Sequence, residues 1–150
     1  MRVWHYELLP YLTELQFKGQ LRELVAIMHD WRDKGKTNHI LINRVMEYPK
    51  SELKMYFEFY ADEYCRRYKS NLSKKYYTEF QEFSYGSKIS FPIGYDGLFE
   101  GWHNKEYLRI CMSNLFEKHK YGVGKSRISD AEWETLLDGY KQITGEDYVI

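Results

Sequence analysis

The stretch LTELQFKGQLRELVAIMHDWRDKGK, residues 12–36, decides the fold class. Thr13 and Gln16 stand at the spacing of a capping box, and Leu12 and Phe17 at that of a hydrophobic staple, so two independent devices specify a helix start. Apolar residues then return at Phe17, Leu21, Leu24, Val25, Met28 and Trp31, one stripe at a period of about 3.6. A lysine-flanked glycine, Gly35, supplies the stop. The spacing predicts a helix over 14–34.

Outward from it, the same signals recur. Ser51 is the expected N-cap of a helix over 52–68, with Leu53, Tyr56, Phe57, Tyr60 and Tyr64 as its buried stripe. A short helix is expected over 74–83. Another should run from Lys105 to His119 or the residue after it, with Tyr107, Leu108, Cys111, Met112 and Leu115 inward. The last is expected over 130–143, where Ser129 and Glu132 repeat the capping box and Ile128 and Trp133 the staple. Between the third and fourth, SYGSKISFPIGYDGLFEGWHN (84–104) has no helical period; a long loop near 84–103 is expected there, with strand-like alternation only at KISFPI. The fold class is therefore all-α: a compact single-domain bundle of four to five helices with a long first helix. Phe17, Leu21, Leu24, Tyr56, Phe57, Leu108, Leu115 and Trp133 are the expected core.

A chain of 150 residues is long enough to bury a core and fits one domain, 1–150. It has no apolar run of the roughly 18 residues a membrane span needs, and its start lacks the apolar region of a signal peptide. A soluble, cytoplasmic protein with no membrane partner is expected. Cys65 and Cys111 lack CxxC spacing and read as buried thiols of a reducing compartment. Lysine plus arginine equals aspartate plus glutamate, 22 each, so bulk charge announces no polyanionic partner. The charge is unevenly spread, however: RRYKSNLSKK (66–75) carries five cations and no acid, whereas residues 129–150 hold six acids against one lysine.

Two motifs fail on inspection. GVGKS (122–126) lacks the earlier glycine of a phosphate-binding loop, since His119 occupies that place, and it follows a helix rather than a strand. The histidines at 5, 29, 39, 103 and 119 include no pair at metal-ligand spacing, so neither a metal nor a cofactor is expected. LRELVAIM is more informative. Arg22 and Glu23 border the apolar stripe, and Glu23 shares a row with Gln16 and Gln20, a polar row at a core edge where a cleft can form.

The chain opens MRVWHY, and an initiator methionine followed by arginine is expected to be retained with its α-amine. Met1-Arg2-x-Trp4, a short extended segment and a capped helix reading QLRELVAIM together resemble the pyrimidine dimer DNA glycosylase family of endonuclease V type. The likeness extends through TNHILINRVMEYP and, more weakly, ELKMYFEFYADEYCRRY and YLRICMSNLFEKH. The resemblance implies an all-helical domain with its N-terminus directed at the first helix. It implies a glycosylase and AP lyase acting through a Schiff base on damaged or abasic double-stranded DNA. By the same resemblance Met1 supplies the nucleophilic amine, Glu23 the catalytic carboxylate, and Arg2 and Arg22 the phosphate contacts. Ala26 stands where relatives carry a second basic residue, and their overall positive charge is absent. Further DNA contact is accordingly expected from the local patch Arg66, Arg67, Lys69, Lys74 and Lys75. The competing expectation is a non-catalytic module that binds nucleic acid or protein on the same scaffold, through the basic segments or the aromatic-rich loop.

Overall fold

The computed structural model describes residues 2–87 and 97–150. Among them are five α-helices, α1 (Glu14–Lys34), α2 (Lys50–Tyr68), α3 (Lys74–Phe83), α4 (Lys105–Tyr121) and α5 (Asp130–Thr144), and no strand, so the fold is all-α. The KISFPI segment lies outside the described residues. No described helix is long and apolar enough to cross a membrane. The chain divides into two compact units, one of Met1–Val3 and Gly19–Glu100, the other of Trp4–Lys18 and Gly101–Ile150.

In the first unit, α1 buries Gln20, Leu24, Ile27 and Met28, and Leu21 and Val25 are only half-buried. The inward face is thus turned from the expected stripe, because Gln20 has partners that repay its burial. Helix α2 buries Leu53, Tyr56, Phe57, Tyr60 and Ala61. It starts two residues earlier than expected: Pro49, not Ser51, is its N-cap, and the Ser51 N–H donates to Ser87 Oγ at 3.1 Å. Tyr64 is half-buried, and Cys65 is exposed rather than buried, since α2 turns that flank to solvent. Phe57 stacks on Phe80 of α3 with centroids 4.2 Å apart, and Trp31 meets Phe83 edge-on at 5.2 Å. His29 and Glu79, 2.6 Å apart, tie α1 to α3. A 3₁₀ helix at Ile42–Glu47 joins α1 to α2.

In the second unit, Tyr6–Tyr11 form a 3₁₀ helix that packs on α5, where an extended segment was expected. Leu8, Leu9, Leu12 and Phe17 are buried. The Thr13–Gln16 box is not closed as read, for Gln16 Oε1 is buried with no hydrogen-bond partner among the described residues. The Ser129–Glu132 box is closed in both directions, at 2.9 and 3.1 Å, with Ile128 and Trp133 buried beside it. Phe99 of the first unit and Trp102 of the second are core side chains, so these two aromatics of the 84–103 loop are not displayed to a partner. The middle of that loop, 88–96, lies outside the described residues.

The approach of the 3₁₀ helix to α5 is set by Gly139. A Cβ there would sit 2.4 Å from Tyr11 Cγ and 2.6 Å from Cδ2, so the whole ring would have to swing out of its packed place or the two helices move apart. Alanine at a helical glycine ordinarily stabilises by up to about 1 kcal/mol, and overpacking costs about 1–3 kcal/mol. At this distance the overlap wins. Gly139→Ala is expected to lower the urea midpoint, corresponding to a loss of about 2 kcal/mol.

His5 is the N-cap of the same 3₁₀ helix. Its Nδ1 accepts the Glu7 N–H at 3.2 Å, and its ring stacks against that of His103 at 5.1 Å, itself an acceptor through Nδ1 for the Tyr6 N–H at 3.1 Å. Burial pushes the His5 imidazole down to about 4, a hydrogen bond with the His103 backbone opposing it. Protonation would also place a hydrogen where Nδ1 now accepts one. The folded pKa lies below the unfolded value of 6.5, so stabilisation is complete above pH 6.5 and is lost as pH falls toward 4. The 2.5-unit interval between 6.5 and 4 corresponds to about 3 kcal/mol. Urea unfolding at successive pH values should show that loss, and His5→Gln should flatten it.

Candidate active site

The polar row of α1 is where the chain start meets the first unit. Gln20 and Glu23, one turn apart, clamp the backbone of residue 2 from both ends. The Arg2 N–H donates to Glu23 Oε2 at 2.8 Å, and Gln20 Nε2 donates to the Arg2 carbonyl at 2.7 Å. Gln20 is 0 % exposed, and its Oε1 accepts from the Tyr56 hydroxyl of α2 at 3.0 Å. A chain of two hydrogen bonds therefore runs from Tyr56 of α2 through Gln20 of α1 to the Arg2 carbonyl, and the Arg2 N–H returns a third to Glu23. Both ends of the Gln20 amide are used in a fixed sense, Oε1 accepting and Nε2 donating, which sets the orientation of the side chain.

Glu23 is only half-buried, so the carboxylate keeps access to solvent while one oxygen is engaged. Met1, one residue upstream of the clamped amide, lies outside the described residues. Arg22 is exposed beside Glu23, with its guanidinium reaching back over Gly19: a Cβ on that glycine would lie 3.7 Å from Arg22 Nη2. It forms no ion pair among the described residues. Arg2, Arg22 and Glu23 thus belong to one locality. A carboxylate there can accept protons or steady a positive charge, and the arginine can take a phosphate.

The other expected DNA contacts lie at the junction of α2 and α3. Arg66 and Arg67 both bond to Glu63, Arg67 Nε at 3.0 Å, and Glu63 is itself buried. The acid three and four residues upstream was outside the basic decapeptide that suggested the patch, and it offsets part of that charge. Arg66 remains 62 % exposed at its side chain and Arg67 only 16 %. Lys69 closes α2 in the left-handed region at φ 53°, with its N–H on the Cys65 carbonyl. Lys74 and Lys75 are exposed on the first turn of α3, and the Lys75 ammonium lies 5.1 Å from the Tyr76 ring centre.

Neither of two clefts coincides with this geometry. One, of about 320 Å³, lies between α2 and α3 over Phe57, Ala61, Tyr77 and Phe80; the other, of about 220 Å³, is lined by His5, His103, Lys105 and Thr144. A polymer that lies across a surface needs no deep cleft, so the hydrogen-bond geometry at Glu23 is the better guide. Among the described residues no group of three His, Cys, Asp or Glu side chains could hold a metal ion. Sequence reasoning found Gln20 and Glu23 as a row, but it missed Tyr56 as their support. A tyrosine in an apolar stripe carries no mark of where its hydroxyl goes.

Residues 1–76 match the family model described as pyrimidine dimer DNA glycosylase. No curated protein and no solved structure matches the chain.

Proposed function

Because the chain belongs to the pyrimidine dimer DNA glycosylase family, we propose that it is a glycosylase and AP lyase for damaged or abasic duplex DNA, with the Met1 α-amine as nucleophile and Glu23 as its carboxylate partner. The observation that carries this reading is the clamp on Arg2, which ties the backbone one residue downstream of the amine to Glu23 itself. An α-amine has an ordinary pKa of about 7.7–8.0, some 2.5 units below a lysine, so a useful fraction is neutral and nucleophilic near pH 7.

The neutral amine attacks C1′, and the base leaves with the electron pair of the glycosidic bond and takes up a proton. Ring opening gives an iminium, which acidifies the C2′ hydrogen. Removal of that proton expels the 3′ phosphate, and water then releases the sugar fragment from the amine. Glu23 steadies the cation and moves the protons. Arg2, Arg22, Arg66, Arg67, Lys69, Lys74 and Lys75 serve the phosphates; Arg22 and the lysines are the better placed, because Glu63 competes for Arg66 and Arg67. Arg22→Ala is expected to weaken DNA binding and to flatten its log–log salt dependence by about one unit of slope.

Incubation with abasic duplex and borohydride tests the reading, since reduction of the iminium leaves a stable protein–DNA adduct. An adduct that N-terminal acetylation abolishes is the expected result. DNA binding without any adduct would favour a non-catalytic binding module instead.

A further inference from the structure

The turn between α1 and the 3₁₀ helix at Ile42–Glu47 is unusually well fixed. Thr37, 4 % exposed, and Asn43 hold each other across it. The Thr37 N–H and Oγ1–H both donate to Asn43 Oδ1, at 2.8 and 2.9 Å, and Asn43 Nδ2 returns a bond to the Thr37 carbonyl at 3.2 Å. The N–H groups of Ile42 and Asn43 close on the His39 carbonyl at 3.0 and 3.1 Å. What this frame holds out is apolar: Ile40 and Leu41 are 85 % and 86 % exposed, adjacent in sequence. Side chains of this type ordinarily seek the core, and a locked turn that displays two of them has lost little entropy still to lose on binding.

The surroundings select the partner. Residues 34–46 contain Lys34, Lys36 and Arg44, with His39 exposed beside the pair; Lys34 meets Asp30 at 3.6 Å and Arg44 meets Glu47 at 3.9 Å, exposed pairs of little strength that a phosphate can displace. Lys36 forms no ion pair among the described residues. A cationic rim around an apolar tip matches a polyanion with an apolar interior, which is the make-up of a stacked duplex. The tip belongs to the same unit as Glu23. Eleven residues separate Glu23 from the end of α1 at Lys34, a rise of about 16 Å, or about five base steps of DNA.

We propose that Ile40 and Leu41 form a wedge that inserts between base pairs a few steps from the lesion, unstacking the duplex there and kinking it while Lys36 holds the neighbouring phosphate. Apolar wedges of this kind exchange the cost of one unstacked step for a bent duplex that meets more protein surface. The inference rests on the DNA-directed reading above, but it assigns work to residues that the amine chemistry does not use.

The test uses the full chain and a duplex carrying a tetrahydrofuran abasic analogue, which cannot form the iminium and so is not consumed. 2-Aminopurine is placed in turn at successive steps on either side of the analogue. Its fluorescence should rise at one step displaced from the lesion in the wild type and stay low with the Ile40→Ser, Leu41→Ser double variant. That variant should bind about tenfold to a hundredfold more weakly. Its thermal midpoint should be unchanged, because both side chains are already in water. Ile40→Leu with Leu41→Met should retain the signal. Equal fluorescence and affinity in the wild type and the serine variant would overturn the wedge. So would a serine variant that keeps its DNA affinity and loses binding to phosphatidylserine vesicles, which would make the tip a membrane contact. Borohydride trapping without a fluorescence change would sink the wedge alone, and fluorescence without trapping would sink the amine chemistry alone.

Discussion

Glu23→Gln lowers the single-turnover rate of strand cleavage at an abasic site by about 100- to 1,000-fold, with DNA affinity and thermal midpoint nearly unchanged. Glutamine keeps the length and an acceptor oxygen, so the Arg2 N–H that now meets Glu23 Oε2 at 2.8 Å retains a partner and the chain start stays clamped. What disappears is the negative charge opposite the developing iminium and the group that shuttles protons. Losses of this size follow removal of one well-placed electrostatic or acid–base group. Cleavage timed under enzyme excess, beside a fluorescence-anisotropy titration, separates the two effects. A fall confined to affinity would make Glu23 a structural anchor only.

Gln20→Ala is expected to damage both stability and catalysis, for a different reason. It removes at once the donor to the Arg2 carbonyl and the acceptor for the Tyr56 hydroxyl, in a place where the side chain has no contact with solvent. Two lost buried partners and a small cavity amount to about 2–4 kcal/mol. The segment carrying Met1 then loses one of the two bonds that clamp the Arg2 backbone to α1, and a displacement of about 1 Å at a reacting group costs up to about a hundredfold. Gln20→Met discriminates the two arms, since it refills the volume but makes neither the bond to the Arg2 carbonyl nor the one from Tyr56. It should recover more stability than cleavage. Equal recovery of both would mean that Gln20 merely fills the core.

The helical frame was largely legible because period and caps are local. Helices α1 and α3 begin and end where the apolar spacing put them, and the Ser129–Glu132 box needs only residues three apart. The polar row of α1 was legible too, as was the return of Arg2 to Glu23. The inward face of α1 was not. Leu21 fits the stripe better than Gln20 by hydrophobicity, yet Gln20 is the buried one, since its amide bonds residues 18 before and 36 after it in the chain. Periodicity cannot register such distant partners. The same limit explains Arg66 and Arg67, whose charge looked available until Glu63 came round the helix to meet them. The 3₁₀ helices at Tyr6–Tyr11 and Ile42–Glu47 were missed because two turns are too short to show a period.

The central claim is that the reacting nitrogen is the α-amine of Met1, and locating the trapped sugar on the protein tests it most directly. After borohydride reduction on abasic duplex and digestion of protein and DNA, tandem mass spectrometry of the adducted peptide should place the added mass on the α-amine of Met1, with every lysine unmodified. The same mass on a lysine side chain, with the Met1 amine unmodified, would contradict the account.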